Sequence, residues 1–361
     1  MIPSGHIYII AEAGVNHNGS LETAKKLIDA AADAGADAVK FQTFKADELV
    51  SSTAPKADYQ KAATGSTESQ LDMLKKLELD ESAHRVLADH CRKRDIQFLS
   101  TPFDEDSVDL LTTRIKVSML KLSSGEITNG PLLLHAARTG LPVILSTGMS
   151  TLADIKAALG VLAFGYTVKK DKPSQKAFKA AFSSARGQRS LKERVTLLHC
   201  TTEYPAPFAE VNLRAMDTMR EAFCLPVGLS DHTPGIAISI AAAALGAEMI
   251  EKHFTLDRTL PGPDHKASLV PDELRQLVQS VREVEAALGS ARKAPTKSEQ
   301  KNVRIARRSL VALKDVARGE IFTRENLGSK RPGAGDSPFG YWQLLGKKSA
   351  KNYRKDEMIK T

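Results

Sequence analysis

Long apolar runs are missing from this chain of 361 residues. None is long enough to cross a bilayer as a helix, so no membrane-spanning helix is expected. Cysteine is scarce too. Cys91, Cys200 and Cys224 are odd in number and lack metal-site or redox spacing. They read as reduced thiols of a cytoplasmic protein, not as a disulfide framework. The opening stretch, MIPSGHIYIIAEAG, has no lysine or arginine and runs straight into strand-like text. No secretory leader is expected from it. Aromatic residues make up 5% of the chain, with a single tryptophan. That offers little stacking surface, and no nucleic-acid-binding signature accompanies it.

What is present is ordinary in amount and uneven in place. Hydrophobic residues at 42% and charged residues at 26% describe a globular protein with room for a large domain and a small one. The net charge is +8, yet residues 290–361 hold 18 Lys and Arg against 7 Asp and Glu. The rest holds 33 against 36, so a near-neutral body carries a basic tail. The tail is a solubilising face, a nucleic-acid surface with few aromatics for stacking, or a module that serves an anionic substrate.

Eight short β-rich runs recur along the first 290 residues, at 7–13, 38–44, 97–101, 118–123, 143–147, 195–200, 226–230 and 249–254. Helical periodicity fills the gaps, as at 21–34, 81–94 and 272–288. Eight β–α units predict a (β/α)8 TIM barrel over residues 1–289. The runs are apolar throughout, as parallel strands covered on both faces are. Residues 169–194 are basic, polar and poor in aliphatics, and predict an added surface excursion. Residues 290–304 read as a polar linker. Residues 305–361, punctuated by Gly319, Gly333, Gly335 and Gly340, read as a small module of strands and turns. A module so small is expected to dock on something.

Barrel enzymes gather their chemistry at the C-terminal strand ends. Reading only those ends gives Glu12, Lys40, Gln42, Thr101, Lys121, Ser124, Glu126, Ser146, Thr202, Tyr204, Ser230, His232, Glu251 and His253. His232, in PVGLSDHT, and His253, in MIEKHFTL, stand one strand apart. They are either two ligands of a metal site with open positions or two histidines bonded to backbone. Lys40 and Lys121 lie inside strand text, where a buried lysine needs a partner. They either pair with Glu12 or Glu126 or bind an anion. With the hydroxyls of Thr101, Ser124, Ser146 and Ser230 they suit a ligand bearing phosphate and carboxylate.

Nine motifs in register, IYIIAEAGVNHNG, AVKFQTF, STPFDEDS, KLSSGE, ILSTGM, LHCTTEYPAPF, GLSDHT, IEKHFTLDRTLPGPDH and KRPGAGD, resemble the sialic acid synthase family. The match covers nearly all the chain outside 169–194, and the tail is similar to the family's antifreeze-like SAF domain of β-clip type. The resemblance implies condensation of phosphoenolpyruvate with open-chain N-acetylmannosamine and water. N-acetylneuraminate and phosphate are the implied products, with C–O cleavage. The alternative is N,N'-diacetyllegionaminate from 2,4-diacetamido-2,4,6-trideoxymannose. By the resemblance, His232 and His253 bind a divalent metal, manganese first, with magnesium or cobalt as alternatives. Lys40, Thr101, Lys121, Ser124, Ser146, Ser230 and, less typically for the family, Thr202 surround phosphoenolpyruvate. Gln42, Phe103, Tyr204 and Asp264 face the sugar, and Glu12 and Glu126 stand near the reacting carbons. Arg331 is implied to reach a second subunit's barrel in a domain-swapped homodimer. Two rivals differ in class. A Schiff-base aldolase would use Lys40 or Lys121 as nucleophile, and an ice-binding module would not carry the tail's charge.

Overall fold

The computed structural model describes residues 5–56, 61 and 69–361. The chain forms two compact units, Met1–Gly289 and Ser290–Thr361. Among its described residues the first holds eight strands: β1 (Tyr8–Gly14), β2 (Ala38–Thr43), β3 (Gln97–Pro102), β4 (Leu120–Leu122), β5 (Val143–Ser146), β6 (Val195–Cys200), β7 (Val227–Asp231) and β8 (Met249–His253). They pair in parallel in the order β3-β2-β1-β8-β7-β6-β5-β4. β3 and β4 pack side by side without a ladder, which leaves a near-closed barrel. Helices follow the strands and form an outer ring, with Leu21–Ala34 and Glu81–Lys93 among them. This is the (β/α)8 architecture expected from the sequence. The expected strand at 118–123 shortens to three residues, with a bend at Ser118 before it and the short helix Ser124–Glu126 after it.

Side-chain alternation explains both the core and the site. In each strand, one parity points outward and packs under the helices, as Ile9, Val39, Leu145 and Leu197 do. The other parity points into the barrel, where Tyr8, Ile10, Ala38, Leu99, Ile144, Leu198 and Met249 form a separate plug. Two residues further along that inward parity come Glu12, Lys40, Thr101, Ser146, Cys200 and Glu251. The barrel floor is thus apolar and its C-terminal mouth polar, with the change made inside single strands.

The basic stretch 169–194 is more regular than its composition suggested. It contains two helices, Gln175–Ser183 and Ala185–Arg194, both N-capped by serine. The phenylalanines at 178 and 182 share one face, one turn apart. Phe178 meets Phe164 edge-on at 5.3 Å, and the amine of Lys156 lies 5.5 Å from the Phe182 ring centre. Few aliphatics are needed where aromatics carry the packing.

In the second unit, the helix Lys297–Ala306 begins on a Thr296–Glu299 capping box, within the stretch expected as linker. β9 (Ser309–Ala312) and β10 (Leu327–Lys330) then pair antiparallel. Leu310, Val316, Phe322, Leu327, Tyr353 and Ile359 make a small core of their own.

Candidate active site

Inward side chains at the strand ends line a cavity of ≈ 450 Å³. Glu12, Lys40, Gln42, Thr101, Phe103, Lys121, Ser124, Ser146, Thr202, Tyr204, Ser230, His232, His253 and Asp264 all reach it. Glu126 is not among its lining residues, and its carboxylate accepts a hydrogen bond from Asn129 Nδ2 at 2.7 Å. Arg331 is an exposed residue of the second unit.

Two buried cations and two buried carboxylates mark one pole of the cavity. Lys40 Nζ lies 2.7 Å from Glu12 Oε2 and 3.7 Å from Glu251 Oε2, and it donates to Thr101 Oγ1 at 3.1 Å. Lys121 Nζ lies 3.3 Å from Glu251 Oε1, which also accepts from Ser230 Oγ at 2.7 Å. The lysines are therefore paired and still line the open space, so pairing and anion binding coexist. Burial opposes charge on all four groups, and their mutual attraction restores it unequally. Burial raises the Glu12 carboxyl to about 7 despite Lys40. Glu251 is also pushed up by burial, but Lys121 and Lys40 outweigh that and hold it well below the usual carboxylate range. Burial pulls Lys121 down, whereas the two carboxylates carry Lys40 above its ordinary value against the same burial.

Hydroxyl groups complete this pole. Ser146 Oγ is buried and has no hydrogen-bond partner among the described residues. A neutral donor held there without a partner is primed for a ligand oxygen. The Gly148 amide donates to Ser124 Oγ at 2.9 Å. A Cβ at Gly148 would stand 2.2 Å from Thr202 Oγ1 and 2.9 Å from Ser124 Oγ, so only glycine lets these hydroxyls close in.

The second pole is aromatic. The rings of His232 and His253 lie 5.4 Å apart, and Tyr204 sits 4.1 Å from the first and 5.4 Å from the second. His232 Nδ1 donates to the Thr201 carbonyl at 2.6 Å. Burial lowers His232 to about 4 and holds His253 well below its ordinary value. Both imidazoles are neutral at pH 7, and the Thr201 bond leaves the His232 lone pair on Nε2. His253 Nδ1 is buried with no hydrogen-bond partner among the described residues, and Asp264 Oδ2 is 3.8 Å from it. His232 Nε2 lies 3.3 Å from Ser230 Oγ, whose proton goes to Glu251, so this nitrogen keeps a lone pair, and the two neutral imidazoles fit a divalent metal ion. No group of three or more such ligands occurs among the described residues, so His232 and His253 would hold an ion with most positions left for substrate and water.

Gly14, at φ 52°, brings the poles together. A Cβ there would lie 3.3 Å from Glu12 Oε1, 3.6 Å from Asp264 Oδ2 and 3.7 Å from Gln42 Nε2. Three polar groups thus converge where the backbone has no side chain.

The NeuB family model matches residues 27–293, and the SAF domain model matches 307–361. The chain belongs to the NeuB family. It is 53% identical to the N,N'-diacetyllegionaminic acid synthase of Campylobacter jejuni, over 98% of each chain. Identity to the protein of the same name from Legionella pneumophila is 45%, over 96% of this chain and 91% of that one. Among solved structures, the N-acetylneuraminic acid synthetase of Leptospira borgpetersenii superposes with a TM-score of 0.66 at 34% identity, covering 82% of this chain and 90% of that one. The resemblance to sialic acid synthases read from the nine motifs therefore holds.

For this NeuB chain, sequence reading left two parts of the site without a role. Glu251 stood among the strand-end residues but had no function assigned to it. It bridges both lysines, and its i, i+2 spacing from His253 on β8 put the two on one face. Lys252, between them, points the other way and lies 2.9 Å from Asp231 Oδ2 outside the cavity. The second part is an apolar wall contributed by residues between β2 and β3.

Proposed function

We propose that the protein is a nonulosonic acid synthase. It joins phosphoenolpyruvate and water to the open-chain aldehyde of an N-acylated mannose-type sugar, and phosphate leaves by C–O cleavage. The observation that carries this reading is a single cavity with a lysine–hydroxyl pole beside two neutral imidazoles. Membership of the NeuB family supports it.

In this reading Lys40, Lys121, Thr101, Ser124, Ser146 and Ser230 hold the phosphate and carboxylate of phosphoenolpyruvate, with Thr202 at the rim. Gln42, Phe103, Tyr204 and Asp264 hold the sugar. His232 and His253 hold a divalent ion, manganese first and magnesium or cobalt otherwise. When bound, such an ion supplies Lewis-acid polarisation of the aldehyde. The enol carbon of phosphoenolpyruvate forms a bond to the aldehyde carbon as the C=O π pair moves to oxygen, which takes up a proton to become a hydroxyl, and positive charge is left at the carbon bearing phosphate. Glu251 faces that charge from the lysine pole. Glu12 takes the proton of the water that adds there, and a carboxyl near 7 is suited to do so. The tetrahedral intermediate then expels phosphate into the lysine–hydroxyl pole. Glu126, bonded to Asn129, braces the turn that carries Ser124. Positioning and charge complementarity account for most of the rate.

Two sugars suit this chemistry. N-acetylmannosamine would give N-acetylneuraminate, and 2,4-diacetamido-2,4,6-trideoxymannose would give N,N'-diacetyllegionaminate. The higher identity to the two legionaminic relatives favours the second. The working unit in this reading is a homodimer in which Arg331 of one subunit completes the other's cavity. Phe339 and Trp342, 89% and 74% exposed in the second unit, supply the apolar contact such docking needs. No helix among the described residues is long and apolar enough to cross a membrane, which is compatible with work in the cytoplasm. The test is phosphate release from phosphoenolpyruvate with each sugar, with and without a chelator. Sugar-dependent release that the chelator removes is expected. Borohydride trapping of a pyruvate adduct on Lys40 or Lys121 would favour the aldolase instead.

A further inference from the structure

The cavity has a face that its polar chemistry does not explain. Leu49, Val50, Met73, Leu74 and Leu77 line it from the segment between β2 and the helix Glu81–Lys93, with Gln70 the one polar side chain among the described residues there. They belong to a hydrophobic cluster of their own, apart from the barrel plug and from the core under the outer helices. Met73, Leu74 and Leu77 are buried, whereas Leu49 and Val50 are half-buried at the opening. Val15, Phe44 and Ala46 back the cluster, and the Phe44 ring meets Phe103 edge-on at 6.1 Å. Leu74, Leu77 and Met73 are therefore backed by packing of their own.

Phosphoenolpyruvate has little use for such a surface. It is a carboxylate, a phosphate and one methylene, and the lysines and hydroxyls answer its charge. The wall is left for the sugar. A fully hydroxylated mannosamine would press hydroxyl groups against leucine and valine side chains, which neither donate nor accept hydrogen bonds, and would lose water there without replacement. A sugar with a methyl at C6 and an acylamino group at C4 would instead lay carbon against carbon.

We infer that the wall of Leu49, Val50, Met73, Leu74 and Leu77 selects a deoxy, N-acylated sugar by burying its methyl groups. The inference rests on the synthase reading of the cavity and deepens it by naming the residues that choose the sugar. An apolar pocket of this kind discriminates by roughly tenfold to a hundredfold between substrates that differ by such groups.

The test uses the full chain with manganese and phosphoenolpyruvate, and measures kcat/KM for 2,4-diacetamido-2,4,6-trideoxymannose and for N-acetylmannosamine in parallel. The unaltered protein is expected to favour the deoxy sugar by at least about tenfold. In the Leu49→Ser/Val50→Thr double variant that ratio is expected to fall by roughly tenfold. Val50→Thr alone, nearly isosteric and half-buried, is expected to move it several-fold, and it carries the comparison should the double variant unfold. A purely structural role would lower both activities together and leave the ratio where it was. An unmoved ratio, or a preference of the unaltered protein for N-acetylmannosamine, overturns the inference and leaves the synthase reading intact. No phosphate release with either sugar overturns both.

Discussion

Glu12 and Lys40 show how far a single residue's setting can be reasoned. Each stands at the inward parity of an apolar strand, so each is buried by the fold and charged only by courtesy of its neighbours. Glu12 is raised to about 7 by burial. If it accepts the water's proton, kcat/KM should rise with pH through about 7, because only the deprotonated form can act. Glu12→Gln should abolish that limb and lower kcat by roughly 10²–10⁴-fold, which a pH–rate profile of both proteins checks. His17 gives the matching statement for stability. Burial lowers it from 6.5 to about 4. The unfolded chain therefore binds a proton first as pH falls. The stabilisation from His17 is complete well above 6.5 and is lost progressively below it, reaching about 2 kcal/mol by pH 5. Urea unfolding at pH 7.5 and pH 5 should show this loss, and His17→Gln should remove about that much of the slope. Much at this scale was legible. The C-terminal strand ends put Lys40, Gln42 and Glu12 at the mouth, and the one-strand spacing of His232 and His253 brought their rings within reach of each other. The role of Glu251 was not legible, because nothing in IEKHF says that its carboxylate must serve two lysines from β2 and β4. Glu126 illustrates the opposite case. Its motif pointed to the cavity, but the turn Ser124–Glu126 directs its carboxylate to Asn129.

Strands were read from short, continuously apolar β-rich runs and helices from a period of 3.6. The long, cleanly periodic ones, such as Leu21–Ala34 and β2, came out within a residue or two of their ends. β4 was overestimated because its flanking serines are compatible with strand and turn alike. The helices at Gln175–Ser183 and Ala185–Arg194 were obscured by charge, since lysine-rich text reads as solvated surface whether or not one face is buried. Their packing rests on few side chains, which makes them easy to test. Phe178→Ala should remove the edge-on contact with Phe164. For a half-buried ring the loss should be about 1–3 kcal/mol, less than for a fully buried one. Thermal unfolding measures it, and turnover per folded molecule should stay within twofold, because the ring lies outside the catalytic cavity.

At the scale of the molecule, the division of charge is the plainest signal, a near-neutral barrel followed by a basic SAF unit. If Arg331 completes a second subunit's cavity as proposed, stopping the chain after residue 289 should leave a folded barrel that still binds phosphoenolpyruvate, as titration calorimetry can show, but that has lost turnover. Normal turnover by the truncated barrel would remove the tail from the mechanism. Sedimentation of the full chain should give a dimer, with the exposed Phe339 and Trp342 covered.

The most direct measurement follows one oxygen atom. Phosphoenolpyruvate carrying heavy oxygen at the bridge between carbon and phosphorus is turned over with manganese and the diacetamido sugar, and both products are weighed by mass spectrometry. Breaking the C–O bond sends the label out with phosphate, and that is the expected result. Label kept in the sugar acid, or no phosphate formed at all, would contradict it.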